Sequence, residues 1–271
     1  MYAGVGGRHA ADRLRHRRPA TIAQVPTLSY GSHRQNVLDL SVPVGPGPHP
    51  VAFVLHGGFW RARYKRGLMA GLCADLVARG WAAANVEYRR VGRLTGGGGG
   101  VPQTLDDVAA ALDHLASVDA PLDLDRVVSI GHSAGGHLAL WVAAPRADAR
   151  VRCAGAIGQG AVSDLRRAAE LGLGGGIVER FCGGSPGQVP ERYRRASPAA
   201  LLPFGVPQLL VHGERDEIVP ASLSVDYVAA ARAGGDDATL TLRPDNGHFE
   251  FIDPAEDAWK DVIGWLERFR G

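Results

Sequence analysis

Apolar residues along this chain alternate between short, nearly continuous runs closed by glycine and longer stretches with helical spacing. "VAFVLHGG", beginning at Val51, is an apolar run stopped by glycines, as expected of a strand covered on both faces. "GLMAGLCADLVARG" predicts a helix with Gly80 as its stop, and "WAAANVEYRR" the next strand. Pro102 opens a helix through "QTLDDVAAALDHLA", with acids near its positive end. "RVVSIGHS" then reads as a strand and "AGGHLALWVAA" as a helix. "VRCAGAIGQGA", "PQLLVHGERD" and "ATLTLRP" give three more strands, with helices near 222–233 and 254–269. Val37 to Val42 alternates and runs into "PVGPGPHP", a hairpin or edge strand followed by a loop. This order predicts an α/β protein with a mostly parallel sheet between helices. Ligands of such sheets bind beyond the carboxyl ends of the strands.

Three stretches depart from the rhythm. Residues 163–203 mix charge, Gly-Gly pairs and prolines without a strand, and read as a cap-like excursion over the site. Gly96 to Gly100 cannot hold regular structure, and no internal repeat is present. Residues 1–24 carry Arg8, Arg13, Arg15, Arg17 and Arg18 and read as a flexible extension, leaving 25–271 as one domain.

Composition narrows the class further. With 45% hydrophobic and 21% charged residues, the 271-residue chain has the balance of a soluble globular protein. A net charge of +2 gives no reason to expect nucleic acid as a partner, and no stretch approaches the ~18 apolar residues of a membrane span. No apolar segment follows the arginines as in a secretory signal, so the expected location is cytoplasmic. Cys73, Cys153 and Cys182 match no zinc spacing and are expected to be reduced, inert thiols.

The chemistry starts at "SIGHSAGGH". Gly131-His132-Ser133-Ala134-Gly135 fits G-x-S-x-G and lies between a predicted strand and a predicted helix, the context in which a sharp turn exposes a serine hydroxyl. A serine needs a base, and the base an orienting acid, in chain order Ser, acid, His. Two later loops supply them. "LLVHGERDEIVP" offers Asp216 after a strand, with Glu214, Glu217 and Asp245 as neighbouring alternatives that strand position disfavours. "LRPDNGHFEFIDP" offers His248, the last of ten histidines. "LHGGFW" follows an earlier strand, where backbone N–H groups are needed for a developing oxyanion; Gly58, Phe59 and Ala134 are the assigned donors. Trp60 and Phe249 are candidates to line an apolar substrate pocket, and Phe59, Tyr88 and Trp141 are weaker ones.

These residues resemble the α/β-hydrolases, in the branch of esterases, lipases and kynurenine formamidases, from about residue 35 to the end. "HGGFW" is similar to the oxyanion motif of kynurenine formamidases, "GHSAGGHLA" to their nucleophile elbow, and "HGERDEIVP" and "GHFEFID" to their acid and histidine loops. The resemblance implies an α/β-hydrolase fold of about eight strands, a Ser133-Asp216-His248 triad, and no metal or organic cofactor. The expected activity is hydrolysis of a small carboxylic ester through an acyl-enzyme. Alternatives are arylformamidase action on N-formylkynurenine, peptidase action, and ligand binding on a hydrolase scaffold without catalysis. The partner is thus a small ester or formamide; oligomeric state is not readable.

Overall fold

The computed structural model describes residues 26–92 and 97–270. The arginine-rich extension at 1–24 and Gly96 lie outside the described residues.

Eight strands form one sheet: β1 (Thr27–Ser29), β2 (Val37–Ser41), β3 (His49–Leu55), β4 (Ala82–Val86), β5 (Leu122–His132), β6 (Gly155–Gln159), β7 (Gln208–Gly213) and β8 (Ala238–Arg243). Their spatial order is β1-β2-β4-β3-β5-β6-β7-β8, antiparallel over the first two pairings and parallel from β4 to β8. β2, expected at an edge or in a hairpin, lies one strand in, because Thr27–Ser29 adds an outer strand. The helices are α1 (Ala70–Ala78), α2 (Gln103–His114), α3 (Ala134–Ala143), α4 (Leu165–Glu170), α5 (Ile177–Cys182), α6 (Pro190–Ala196), α7 (Ser222–Ala233) and α8 (Asp257–Leu266).

Strand periodicity builds the core on both faces. On β3, Val51, Phe53 and Leu55 enter the cluster shared with α2, α3 and α7, while Ala52 and Val54 enter the one shared with α1 and α8. Side chains alternate faces, so a run apolar at every position must be covered twice. β5 begins earlier than "RVVSIGHS" suggests. Its partner register jumps from Pro50–Asp123 to Val51–Val127, and this irregularity lets Leu122 and Asp123 pair ahead of the buried run.

The chain runs from β3 outward to β4, then returns to β5 on the other side of β3. At this reversal the crossovers after β3 and β5 leave toward opposite edges of the sheet, which makes the carboxyl ends of these two strands the place where open α/β sheets bind ligands. Residues 163–203 hold α4, α5 and α6 and no strand. They are tied to α3, where His137 donates from Nε2 to the Ala196 carbonyl (2.8 Å) and Trp141 donates to that of Arg195 (2.9 Å).

Candidate active site

Ser133 follows β5 with φ 56° and ψ −120°, a left-handed conformation that costs a non-glycine residue on the order of 1–3 kcal/mol. Its neighbours enforce the turn. A Cβ on Gly131 would run into the Gly135 carbonyl, and one on Gly135 into the Leu55 carbonyl, so both glycines are steric requirements of the elbow. Ser133 N donates to Gln159 O (2.8 Å) and His137 N to Ser133 O (3.0 Å), fixing the residue from β6 and from α3.

The acid and the histidine meet. His248 Nδ1 donates to Asp216 Oδ2 at 2.6 Å, while Asp216 Oδ1 accepts the amides of Ile218 (2.9 Å) and Val219 (2.8 Å). A second imidazole also serves the carboxylate. His212 Nε2 lies 3.2 Å from Asp216 Oδ2 and 2.8 Å from Val219 O, and its Nδ1 lies 2.7 Å from Ser224 Oγ. Burial alone would raise the Asp216 carboxyl, but the hydrogen bonds from His212 and His248 outweigh it and hold the group well below the usual carboxylate range. Among the described residues, Glu214, Glu217 and Asp245 have no such partners: Asp245 pairs instead with Arg215 on the surface at 2.6 Å.

β6 joins the elbow to this pair. Gln159 holds Ser133 through its carbonyl, and the next residue, Gly160, backs the acid and the base: a Cβ there would stand 3.3 Å from His248 Nδ1 and 3.4 Å from Asp216 Oδ2. The Gln159 side chain donates to Phe251 O (2.8 Å), and His132 Nε2 donates to His248 O (2.7 Å), so the histidine loop is held from two directions. Burial, then the neighbouring His248, pushes His132 down to about 3, which keeps it a neutral donor.

The loop after β3 lies against the elbow. A Cβ on Gly57 would fall 2.7 Å from His132 O and 3.1 Å from Ser133 Cβ. Gly58, Phe59 and Trp60 are all left-handed, at φ 107°, 50° and 51°, and Arg61 N donates to Gly58 O (3.0 Å) to close the turn. Among the described residues, the N–H groups of Gly58, Phe59 and Ala134 donate to nothing. Beneath the loop, His56 Nε2 sits 3.0 Å from Glu87 Oε1, Arg90 pairs with the same oxygen at 2.6 Å, and Tyr88 donates its hydroxyl to His56 O (2.6 Å). Burial opposes the charge of Glu87, yet His56 and Arg90 keep its carboxyl below the ordinary value.

Two aromatic expectations separate. Trp60 is fully buried, stacked on Phe181 with ring centroids 4.3 Å apart and edge-on to His137 at 5.1 Å, so it packs α5 against α3 and does not line an open pocket. Phe249 is 47% exposed and edge-on to His248 at 5.3 Å, at the mouth of the site.

The sequence pattern passes over His132, His212, Gln159, Gly160 and Glu87. A signal exists for some of them: Gln159, His212 and Glu87 are polar residues at or just beyond the carboxyl ends of largely apolar strands.

An eight-stranded, mostly parallel sheet carrying a strained serine between strand and helix is an α/β-hydrolase. The BD-FAE family profile matches residues 38–230, and the chain belongs to this family of α/β-hydrolase esterases. The chain is 29% identical over 254 residues to Esterase LipQ of Mycobacterium tuberculosis, covering 87% of this chain and 59% of LipQ. It is 23% identical over 235 residues to the probable dipeptidyl-peptidase 5 of Emericella nidulans, covering 82% of this chain and 32% of that protein. The chain therefore spans only a third to three fifths of the length of these relatives. Among solved structures, the thermophilic esterase Est2 of Thermogutta terrifontis superposes with a TM-score of 0.74 at 21% identity, covering 95% of each chain. No helix among the described residues is long and apolar enough to cross a membrane.

Proposed function

We propose that this chain is a serine hydrolase of small carboxylic esters, with Ser133 as nucleophile, His248 as general base and Asp216 as the orienting acid. One observation carries the reading: consecutive residues Gln159 and Gly160 touch the Ser133 elbow on one side and the Asp216–His248 pair on the other. The hydroxyl and the imidazole thus belong to one neighbourhood, although 115 residues separate them in sequence (248 − 133).

The steps follow from the donors available. His248 Nε2, its tautomer set by the bond from Nδ1 to Asp216, takes the Ser133 proton as Oγ attacks the ester carbonyl. The negative oxygen of the tetrahedral intermediate is met by the unpartnered N–H groups of Gly58, Phe59 and Ala134 at the start of α3, where the helix dipole adds to them. His248 then protonates the leaving alcohol, and water activated by the same ring releases the acid. Phe249 at the mouth offers an apolar face to the departing group, and residues 163–203 act as a cap over it. Like its LipQ relative, the chain is read as an esterase; three buried free thiols fit a reducing compartment, the cytoplasm.

Ser133→Ala is expected to abolish turnover of a p-nitrophenyl ester and labelling by a fluorophosphonate probe while the circular dichroism spectrum is unchanged. Labelling of the variant would refute the assignment. A panel of short acyl esters, aryl esters and N-formylkynurenine fixes the substrate: preferential turnover of the last would move the reading to a formamidase, in keeping with the "HGGFW" resemblance.

A further inference from the structure

The residues after the oxyanion loop, "RARYKRG" from Arg61, are strongly basic, and the mechanism uses none of them. The Arg61 guanidinium lies over the Phe59 ring, its carbon 5.9 Å from the centroid, and donates to Gly174 O on the turn before α5. That turn packs directly on Phe59, since a Cβ on Gly174 would stand 3.1 Å from the ring. Arg63 covers the ring of Tyr64 at 4.7 Å, and Tyr64 fills the space beside Gly58 where a side chain would otherwise go. Arg180, on α5, is steered back to the same turn by a bond from Nε to Gly176 O at 3.4 Å. All three arginines are thus held at the seam between the oxyanion loop and residues 163–203.

Their neighbours are paired and they are not. Arg66 meets Asp39 (2.6 Å) and Arg90 meets Glu87 (2.6 Å), whereas among the described residues Arg61, Arg63 and Arg180 form no ion pair with a carboxylate. The charge on Arg61 is disfavoured first by its partial burial and then by repulsion from Arg63 and Arg180. The ring and carbonyl contacts hold the three guanidinium groups in place but leave the repulsion among their charges uncompensated. A ligand carboxylate would relieve the repulsion and accept a bidentate bond from a guanidinium already oriented by its stacking and its carbonyl bond.

We infer that Arg61, Arg63 and Arg180 form a carboxylate-recognising subsite, and that the preferred substrate is an ester carrying a carboxylate on its acyl or its alcohol portion. This inference rests on the esterase reading above.

The experiment compares kcat/KM for matched ester pairs on the full chain: mono(4-nitrophenyl) glutarate against 4-nitrophenyl butyrate for the acyl side, and 3-carboxyphenyl butyrate against phenyl butyrate for the alcohol side. One arm is expected to favour the anionic ester at least about tenfold at low salt, with the preference shrinking as salt screens the charges. Arg61→Gln combined with Arg180→Gln should lower that anionic-to-neutral ratio at least about tenfold, and Arg63→Gln alone, at an exposed position, should lower it by a smaller factor. Turnover of the neutral esters with no anionic preference in either arm, or a preference that survives all three substitutions, overturns the subsite and leaves the esterase reading standing. Turnover of no ester at all overturns the esterase reading instead. Calorimetric titration with the product anions, glutarate against butyrate for the acyl side and 3-hydroxybenzoate against phenol for the alcohol side, then decides the subsite by itself: tighter binding of either carboxylate-bearing probe that the arginine substitutions abolish supports it, and equal binding in both comparisons ends it.

Discussion

Asp216 carries more of the site's electrostatics than its place in an exposed-looking loop would suggest. Four donors converge on its two oxygens: two backbone amides, His248 and, at longer range, His212. Asp216→Asn is expected to keep the fold and lower kcat by about 10⁴, since the amide can present a donor to the imidazole and select the wrong tautomer. His212 touches no reacting atom; it is a positioning residue that holds the acid in its charged form. His212→Leu should reduce kcat about tenfold and shift the pH profile of kcat/KM, whereas His212→Gln, whose amide nitrogen can stand in for Nε2, should recover most of both. An unshifted profile in the Leu variant would show that His212 only fills space. Position relative to the strand end favours Asp216 over Glu214, Glu217 and Asp245, and among the described residues Asp216 is the one of the four that meets His248. The four-donor environment was not legible in the sequence, because a polar residue at a strand end marks the right edge of the sheet but does not say which side chain it will meet there.

Strands and helices bring these side chains together by ending at one edge. Leu55 pairs with Gly131, and His132 with Gln159, so β3, β5 and β6 finish level and their next residues meet. Gly160, just beyond β6, is left-handed at φ 53° and leaves only van der Waals room beside Asp216 and His248. Gly160→Ala is expected to displace the pair by a few tenths of an ångström, lowering kcat at least about tenfold while melting changes by only a few degrees, because misplaced catalytic groups cost rate sooner than stability. Wild-type kcat in that variant would show that the strand end does not support the pair. The run of strands and helices was readable from periodicity and glycine stops. Trp60 was not: the packing of its indole against Phe181 and His137 buries it in the core, and residue type does not encode that direction.

Considered as one folded body, the protein hides its histidines at an energetic cost that pH exposes. His132 and His137 are buried and held near 3 and 4, against 6.5 when unfolded, in each case mainly by desolvation. Between pH 6.5 and 4 the unfolded chain binds protons that the folded chain refuses, so the stability these neutral rings permit is complete above pH 6.5 and is lost as pH falls. By pH 5 each should cost on the order of 2 kcal/mol, at 1.36 kcal/mol per pH unit. Asp216, lowered in the folded state, adds a further loss only as pH drops below the usual carboxylate range. Urea midpoints at pH 7.5 and 5.0 should therefore differ clearly, and His137→Gln should remove about half the difference; an equal difference in that variant would contradict the assignment.

The linear order of residues was sufficient to specify the α/β class, the strand–turn–helix around Ser133 and the candidates at later strand ends, because periodicity, glycine punctuation and a serine elbow are local properties of the chain. Only tertiary packing selected which distant groups touch: the 2.6 Å bond from His248 to Asp216, the service of Gly160 to both, the inward turn of Trp60, and the arginines gathered at the loop seam. Those contacts depend on strand register and on which direction each backbone carbonyl and side chain faces, and such information is shared among segments from 32 residues apart, for Asp216 and His248, to 113 apart, for Arg61 and Gly174.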